Sequence, residues 1–252
     1  RVRPAVVMAG PAGRFGAAGG AAGAGPRRVG AGGADAPRAG RVNSVANPPE
    51  ARGMSVEKHA SRAGDPPDKV RDSWLDEWSP DADGVPYRRA ARVVVVDPEG
   101  RVLLVHGHDF DDIDHSWWFT VGGGLGDEGP REGAVRELRE ETGVSADPSR
   151  LVGPVLLRSD EFRFAARTVR QDEVFFVLAV SGEEARSARP GYDLTAAERE
   201  TLDEFRWWGL AEIREAEAKG ETFYPAGLAD LVETWWPKWD GIVRNVTDRA
   251  LE

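Results

Sequence analysis

Short apolar runs separated by turn residues dominate the chain from about residue 88 onward. The β-branched run Ala90–Val96, the turn residues 97–100 and the run Arg101–His106 predict a β-hairpin. Further strands are predicted at Trp117–Val121, Leu151–Leu157, Glu161–Thr168, Glu173–Val180 and Glu204–Trp208. Phe175 and Phe176 fall within a long apolar run, which indicates a strand that is buried on both faces.

Helical signals interrupt and follow these strands. Pro130 suits the first turn of a helix and Gly143 suits the position just after its end, so a helix of about three turns is predicted between them. Leu228, Leu231, Val232 and Trp235 recur at helical spacing and predict a late helix over Leu228–Trp236. Another helix is predicted at Ala211–Ala218, and Thr195–Leu202 is predicted to be a helix or a loop. These elements together favour an α/β fold in which a mixed β-sheet lies between helices.

The ends of the chain differ in composition from this central region. Residues 1–65 are predicted to be a disordered extension rich in Gly, Ala, Arg and Pro, because they contain too little apolar periodicity to offset the entropy of ordering. Residues 66–86 are predicted to be a linker or a short capping helix, and residues 241–252 a tail. Met8 and Met54 are the only methionines, and we hold a native start at or near Met54 as a hypothesis.

The distribution of charge along the chain limits the kinds of molecule that the protein is expected to bind. Residues 1–53 contain eight Arg and two acidic residues, which leaves 25 basic and 41 acidic residues in the rest of the chain. This acidic body argues against binding to nucleic acid or to an anionic membrane. There are no cysteines, and no apolar run approaches the length of a membrane-spanning helix, so we expect a soluble, cytoplasmic protein.

Three carboxylates on the central predicted helix point to a metal site. Glu137, Glu140 and Glu141 stand at i, i+3 and i+4, which places them on one face, where they repel one another unless a hard cation such as Mg²⁺ or Mn²⁺ binds. The alternative is a solvated helix in which Arg136 supplies the counter-charge. The glycines that precede the helix favour the metal site, because a backbone that loops around a metal and a phosphate needs them: Gly122, Gly123, Gly124 and Gly126.

The spacing of this stretch resembles the signature of the Nudix hydrolases. Gly122 is followed by five residues and Glu128, then by seven residues and the run Arg136–Val144, so that all nine specified positions match. The resemblance implies a Nudix α/β/α sandwich over roughly residues 87–240. It also implies hydrolysis of a diphosphate linkage in a nucleoside diphosphate that is linked to another moiety, with Mg²⁺ or Mn²⁺ as cofactor.

The resemblance also assigns roles to individual residues. It implies that Glu140 and Glu141 are metal ligands, and that Glu137 is a third ligand or the group that orients or deprotonates water. Arg136 would hold a carboxylate in position, Glu128 would be an alternative ligand, and the backbone of the glycine run would bind the substrate: Gly122, Gly123 and Gly124. Members often recruit a further glutamate downstream, for which Glu173 is the first candidate and Glu161 the second. Each could instead be a polar residue at a strand end.

Several alternatives remain open at this point. His106, His108 and His115 either form a metal cluster or belong to a polar loop over the active site. Trp117 and Trp118 either pack in the core or stack on a substrate ring. The alternative function is a nucleotide-sensing module without catalytic activity. A further alternative is an interaction protein that binds a partner through its tryptophan-rich ends. The sequence is also compatible with a homodimer.

Overall fold

The computed structural model describes residues 53–55 and 74–249, which form a mixed sheet with helices on both faces. The strands are β1 Met54–Ser55, β2 Ser79–Pro80, β3 Pro86–Val96, β4 Val102–His108, β5 Ser116–Gly124, β6 Val152–Phe164, β7 Arg167–Ala179, β8 Leu202–Trp208, β9 Phe223–Tyr224 and β10 Arg244–Arg249. The helices are α1 Pro130–Thr142, α2 Gly182–Ser187, α3 Ala196–Thr201, α4 Leu210–Ala218 and α5 Leu228–Trp235. Two single turns of 3-10 helix lie at Trp74–Glu77 and Pro148–Arg150.

The sheet is ordered β1-β8-β4-β5-β3-β7-β6-β10, with β2 beside β3 and β9 beside β5. Its centre is β3, which runs parallel to β7 and antiparallel to β5. The predicted hairpin of β3 and β4 is present, and its turn contains Gly100 in the left-handed region. Because β5 pairs with β3 through Val121–Gly124, the glycine run lies at the middle of the sheet.

Alternating side chains of β3 divide the interior into two cores. Val93 and Val95 face one core together with Leu138 of α1, whereas Val94 and Val96 face the other core together with Val232 of α5. The predicted α/β/α sandwich is therefore confirmed. Phe175 and Phe176 of β7 are both buried, one in each core, as expected of a strand covered on both faces.

Helix α1 begins and ends where its sequence predicts. Pro130 occupies the first turn after Gly129, and Gly143 adopts the left-handed conformation and donates its N–H to the carbonyl of Arg139. Ala134 and Leu138 are completely buried against the sheet, so the opposite side of each turn is left for polar groups. This packing fixes the rotation of the helix and hence the direction of its glutamates.

Three predicted segments differ from the structure. Strands β6 and β7 form one long hairpin whose turn lies at Ala165–Ala166, so the strand predicted at Glu161–Thr168 spans the turn. Arg244–Arg249, within the predicted tail, forms β10 and pairs in parallel with β6. The predicted extension, residues 1–65, lies outside the described residues except for 53–55, where Met54–Ser55 pairs with β8.

No helix among the described residues is both long enough and apolar enough to cross a membrane.

Candidate metal and diphosphate site

Three carboxylates from two helices meet beside the glycine run. Glu137 and Glu141, one helical turn apart on α1, and Glu198 on α3 each offer an oxygen, and these three oxygens lie within 4.8 Å of one another. Glu137 and Glu141 are only 5% and 3% exposed. A buried, all-oxygen donor set of this kind is typical of sites for hard divalent cations.

The cluster is electrostatically unfavourable without a counter-charge. Burial raises the pKa of Glu137 to about 7, against the lowering effect of Arg136. Burial also raises the pKa of Glu141 well above its ordinary value, and the charges of Glu137 and Glu198 add to this effect. The two α1 carboxylates therefore favour either protons or a bound cation.

Arg136 organises the exposed side of the cluster. Its Nη1 donates to Glu137 at 2.7 Å and to Glu140 at 2.8 Å, and its Nη2 donates to Glu128 at 2.7 Å and to the carbonyl of Gly124 at 2.8 Å. The hydrogen bond from Arg136 holds the pKa of Glu128 below its usual range. The structure thus places Glu140 and Glu128 in the network around Arg136 and outside the group of three carboxylates.

The glycine run fits this arrangement through its backbone. Gly122 adopts φ +131°, donates its N–H to Glu141 at 2.9 Å and accepts a hydrogen bond from Arg92 at its carbonyl. A Cβ atom on Gly122 would lie 2.1 Å from the carbonyl oxygen of Ala91, and one on Gly123 would lie 2.7 Å from the Glu137 carboxylate. Side chains at either position would therefore displace the sheet or the carboxylates.

Glu173, the first downstream candidate, is held elsewhere by arginines. Its oxygens accept from Arg92 at 2.8 Å, from Arg158 at 2.6 Å and from Gln171 at 2.7 Å. Although burial alone would raise the pKa of Glu173, the two arginines hold it below its ordinary value. The structure does not bring Glu173 into the group of three carboxylates, because the two arginines already neutralise it.

Glu161, the second candidate, is also not brought into the group, since it accepts from Arg170 at 2.7 Å on the surface of the hairpin. The member that sequence reasoning missed is Glu198. The run Thr195–Glu198 is a capping box in which the Glu198 carboxylate accepts from the Thr195 backbone N–H at 2.8 Å. The capping box by itself accounts for a glutamate at position 198, because a Ser/Thr-x-x-Glu pattern marks the start of a helix. Nothing in this pattern indicates that Glu198 lies next to α1.

A cavity of about 700 Å³ opens beside the cluster. Gly122, Gly123, Glu141 and Glu198 line it, and so do four arginines of the sheet: Arg88, Arg92, Arg158 and Arg163. Aromatic side chains form other walls, namely Trp78, Phe110, Trp117, Phe119, Phe162, Phe164, Phe175 and Tyr224. The cavity thus combines an acidic cluster with groups that can bind phosphate and groups that can bind a ring.

The structure separates the two adjacent tryptophans of β5. Trp118 is buried in the core with Trp208 and Phe223, whereas Trp117 lines the cavity next to Phe164. Successive strand residues point to opposite faces, so only one of the two can reach a ligand.

The histidines predicted as a metal cluster or as part of a polar loop have other partners. His106 and His108 approach the same Asp203 oxygen through Nδ1, at 3.1 and 2.9 Å, and His115 lies 4.0 Å from Asp109. Among residues 53–55 and 74–249, they do not belong to a group of metal-ligating atoms. His108 and His115 line the cavity, but His106 and His108 belong to strand β4 and not to a loop.

The central part of the chain is similar to known proteins. A family model described as the NUDIX domain matches residues 86–229. An RNA pyrophosphohydrolase of Xylella fastidiosa is 32% identical over 138 residues, which are 50% of this chain and 65% of that protein. One of Novosphingobium aromaticivorans is 43% identical over 65 residues, 25% of this chain and 39% of that protein. The chain therefore covers less than two thirds of the length of either relative.

Among solved structures, a MutT protein from Methanosarcina mazei is 22% identical to this chain, with a TM-score of 0.39. The match spans 59% of this chain and 92% of that protein.

Proposed function

Because the chain belongs to the NUDIX domain family, we propose that it hydrolyses a diphosphate linkage in a nucleoside diphosphate linked to another moiety, with Mg²⁺ or Mn²⁺ as cofactor. The observation that carries this proposal is the group of three carboxylates, Glu137, Glu141 and Glu198, of which Glu141 and Glu198 line a cavity that arginines also line. The small-molecule substrate fits a cavity of about 700 Å³, which is the size range of ligand pockets.

The donor set fits the proposed metal. Three carboxylate oxygens within 4.8 Å of one another match the preference of Mg²⁺ and Mn²⁺ for oxygen ligands. The cation would be held by Glu137, Glu141 and Glu198. Arg136, which donates to Glu137, also donates to Glu140 and Glu128 and so connects these two glutamates to the site. When bound there, a divalent cation supplies electrostatic stabilisation of charge that develops on phosphate oxygens.

The chain's own residues supply the remaining roles. Arg136 keeps Glu137 oriented, and the Gly122 N–H keeps Glu141 oriented, so both carboxylates are positioned before the substrate arrives. Glu137, whose pKa is raised to about 7 by burial, can serve as a ligand or take a proton from the attacking water near neutral pH. The backbone of the glycine run, which lies against both carboxylates, would face the diphosphate.

A substrate panel tests the reaction. Phosphate release, coupled to a phosphatase where needed, is measured with nucleoside triphosphates, nucleotide sugars, ADP-ribose and dinucleoside polyphosphates in Mg²⁺ and then in Mn²⁺. The Glu141→Gln variant is compared with Glu132→Gln, which changes an exposed glutamate of the same helix. We expect Glu141→Gln to lower turnover of one substrate class by about a hundredfold or more, whereas Glu132→Gln retains it. Nucleotide binding without any turnover would support the nucleotide-sensing module instead.

The names of the curated relatives give the panel a further member. Because these relatives are called RNA pyrophosphohydrolases, RNA with a 5′-triphosphate is tested beside the small molecules. The excess of acidic residues after residue 53 opposes the approach of a long polyanion, so we expect the small molecules to be preferred. Faster turnover of the RNA than of the small molecules would show that the proposed substrate class is wrong, whereas the proposed reaction, hydrolysis of a diphosphate linkage, would stand.

A further inference from the structure

One face of β6 changes from charged to aromatic along its length. Arg158, Asp160, Phe162 and Phe164 alternate with residues of the opposite face, and all four line the cavity. Arg158 binds Glu173 near the glycine run, whereas Phe164 lies next to the hairpin turn. From Arg158 to Phe164 the strand extends about 20 Å, so the aromatic end lies well away from the ion pairs of Arg158.

Trp78 joins this aromatic end from a different part of the chain. We call residues 74–85 the Trp78 segment, which precedes the region matched by the family model, residues 86–229. Trp78 lines the cavity, and its ring lies 6.4 Å from that of Phe162 at an angle of 70°. Arg88 lies 4.4 Å from the centre of the Trp78 ring, a distance suited to a cation–π contact.

The Trp78 segment also lies close to the carboxylate cluster. A Cβ atom on Gly124 would contact the carboxylate of Glu77 at 2.7 Å, and a Cβ atom on Gly123 would contact that of Glu137 at the same distance. Gly123 and Gly124 are consecutive, so the Trp78 segment and the carboxylate cluster lie on opposite sides of one glycine run. Trp78 and two carboxylates of the cluster, Glu141 and Glu198, nevertheless line the same cavity.

Arginines fix the Trp78 segment in this position. Arg170 of β7 donates to Asp81 at 2.7 Å, to Asp83 at 2.6 Å and to Glu161 at 2.7 Å, and so connects the segment to the β6–β7 hairpin. Next to the cavity, Arg88 donates to Glu77 at 2.8 Å. The same arginine donates to Gln171 of β7 at 2.5 Å. Strand β2 adds backbone pairing of the segment with β3.

We propose that Trp78 and Phe162 form a stacking subsite for the nucleobase of the substrate, and that Arg170 positions the Trp78 segment for this role. The identity of the ligand as a nucleotide rests on the proposed function, whereas the subsite itself rests on the aromatic wall. Stacking of a base on an aromatic side chain contributes about 1–3 kcal/mol, which is roughly fivefold to 150-fold in affinity. The subsite makes a segment outside the family-matched region a determinant of specificity.

Binding without turnover tests the subsite. Calorimetry with Mg²⁺ compares ADP, GDP, CDP and UDP, which carry a ring, with inorganic pyrophosphate, which does not. We expect Trp78→Ala to weaken the binding of the preferred nucleoside diphosphate about tenfold and to leave pyrophosphate binding unchanged, while Trp78→Phe restores most of the loss. Trp239→Ala is the matched control, because Trp239 is half-buried, donates to the carbonyl of Ile242 and does not line the cavity.

A second pair of variants tests the role of Arg170. Arg170→Ala is expected to weaken nucleoside diphosphate binding about threefold, since partly exposed ion pairs contribute less than about 1 kcal/mol, and to leave pyrophosphate binding unchanged. Arg214→Ala is the control, because Arg214 binds Asp230 and Glu233 in a similar surface network remote from the cavity. It should change neither affinity.

Three results would overturn the subsite. The first is wild-type protein that binds every nucleoside diphosphate no more tightly than pyrophosphate. The second is a Trp78→Ala variant with unchanged nucleoside diphosphate affinity, and the third is an equal loss for pyrophosphate, which would indicate a general structural effect. If ring-dependent binding is present but the substrate panel shows no turnover, the proposed reaction fails and the subsite stands.

Discussion

Replacing Glu137 with Gln should stabilise the metal-free protein at alkaline pH. Burial raises the pKa of Glu137 from its ordinary value of 4.5 to about 7. A raised pKa in the folded state gives a stabilising contribution that is complete below pH 4.5 and is lost as the pH rises through 7. At about 1.4 kcal/mol for each tenfold change in proton affinity, ionised Glu137 costs the folded protein roughly 3 kcal/mol at pH 8. Gln cannot ionise, so the variant avoids this cost.

Thermal unfolding in EDTA at pH 5 and pH 8 measures the effect. A difference of about 3 kcal/mol corresponds to about 6–12 °C in Tm for a folded region of this size. We expect the wild-type Tm to fall more than that of Glu137→Gln between these two pH values. Added Mg²⁺ should then stabilise the wild type at pH 8 more than it stabilises the variant, because the cation neutralises the charge that Gln lacks.

Two outcomes would refute this reasoning. One is a wild type and a Glu137→Gln variant that lose the same Tm between pH 5 and pH 8, since the ionisation of Glu137 would then contribute nothing. The other is an equal gain from Mg²⁺ in both proteins. Glu132→Gln, on the exposed side of the same helix, controls for the loss of any one negative charge and should behave as the wild type does.

Three further predictions concern two parts of the site and one ion pair elsewhere on the surface. Gly122→Ala should lower the free energy of unfolding by roughly 3 kcal/mol in urea denaturation, because its Cβ would meet the Ala91 carbonyl oxygen at 2.1 Å and φ is +131°; an unchanged midpoint would contradict the geometry. Glu173→Gln should cost about 3–5 kcal/mol by leaving Arg92 buried without its counter-charge, while Arg158 keeps its ion pair with Asp160. Calorimetry on the folded Glu173→Gln variant should still show Mg²⁺ binding, whereas Glu198→Gln should weaken that binding. The hydrogen bond from Arg150 lowers the pKa of Glu184 to about 2, so its stabilising effect is present above pH 4.5 and lost as the pH falls toward 2; Glu184→Gln should show a smaller acid-induced loss of Tm than the wild type.

The residues of the site that lie close together in sequence could be predicted from the sequence. Glu137 and Glu141 share a face because a helix repeats every 3.6 residues, and the helix itself is delimited by Pro130 and Gly143. The helix and the shared face of its glutamates depend on interactions within one or two turns of chain, which is the range over which residue patterns determine structure. The glycine run was also predicted from the sequence, but the contact that requires glycine at position 122 is with Ala91 of β3.

The third carboxylate and the cavity walls depended on tertiary structure. Glu198 reaches α1 across more than fifty residues, and the nearer signal, its own capping box, explains it without that contact. Glu173 is the first downstream candidate for a further metal ligand in the sequence. In the structure it is instead neutralised by Arg92 and Arg158, because the register of β7 against β3 and β6 places these arginines beside it.

Strand register and turn position account for the remaining differences. Ala165 and Ala166 form the β6–β7 turn at φ 50° and 58°, although neither is the glycine or asparagine that usually marks such a turn. The length of the hairpin therefore could not be predicted from the sequence. That length places Phe162 beside Trp78 and Phe164 beside Trp117. The sequence by itself therefore determined the helix, the shared face of its glutamates and the glycine run. Only packing between distant segments decided which further glutamate joins them and which aromatic rings face the cavity.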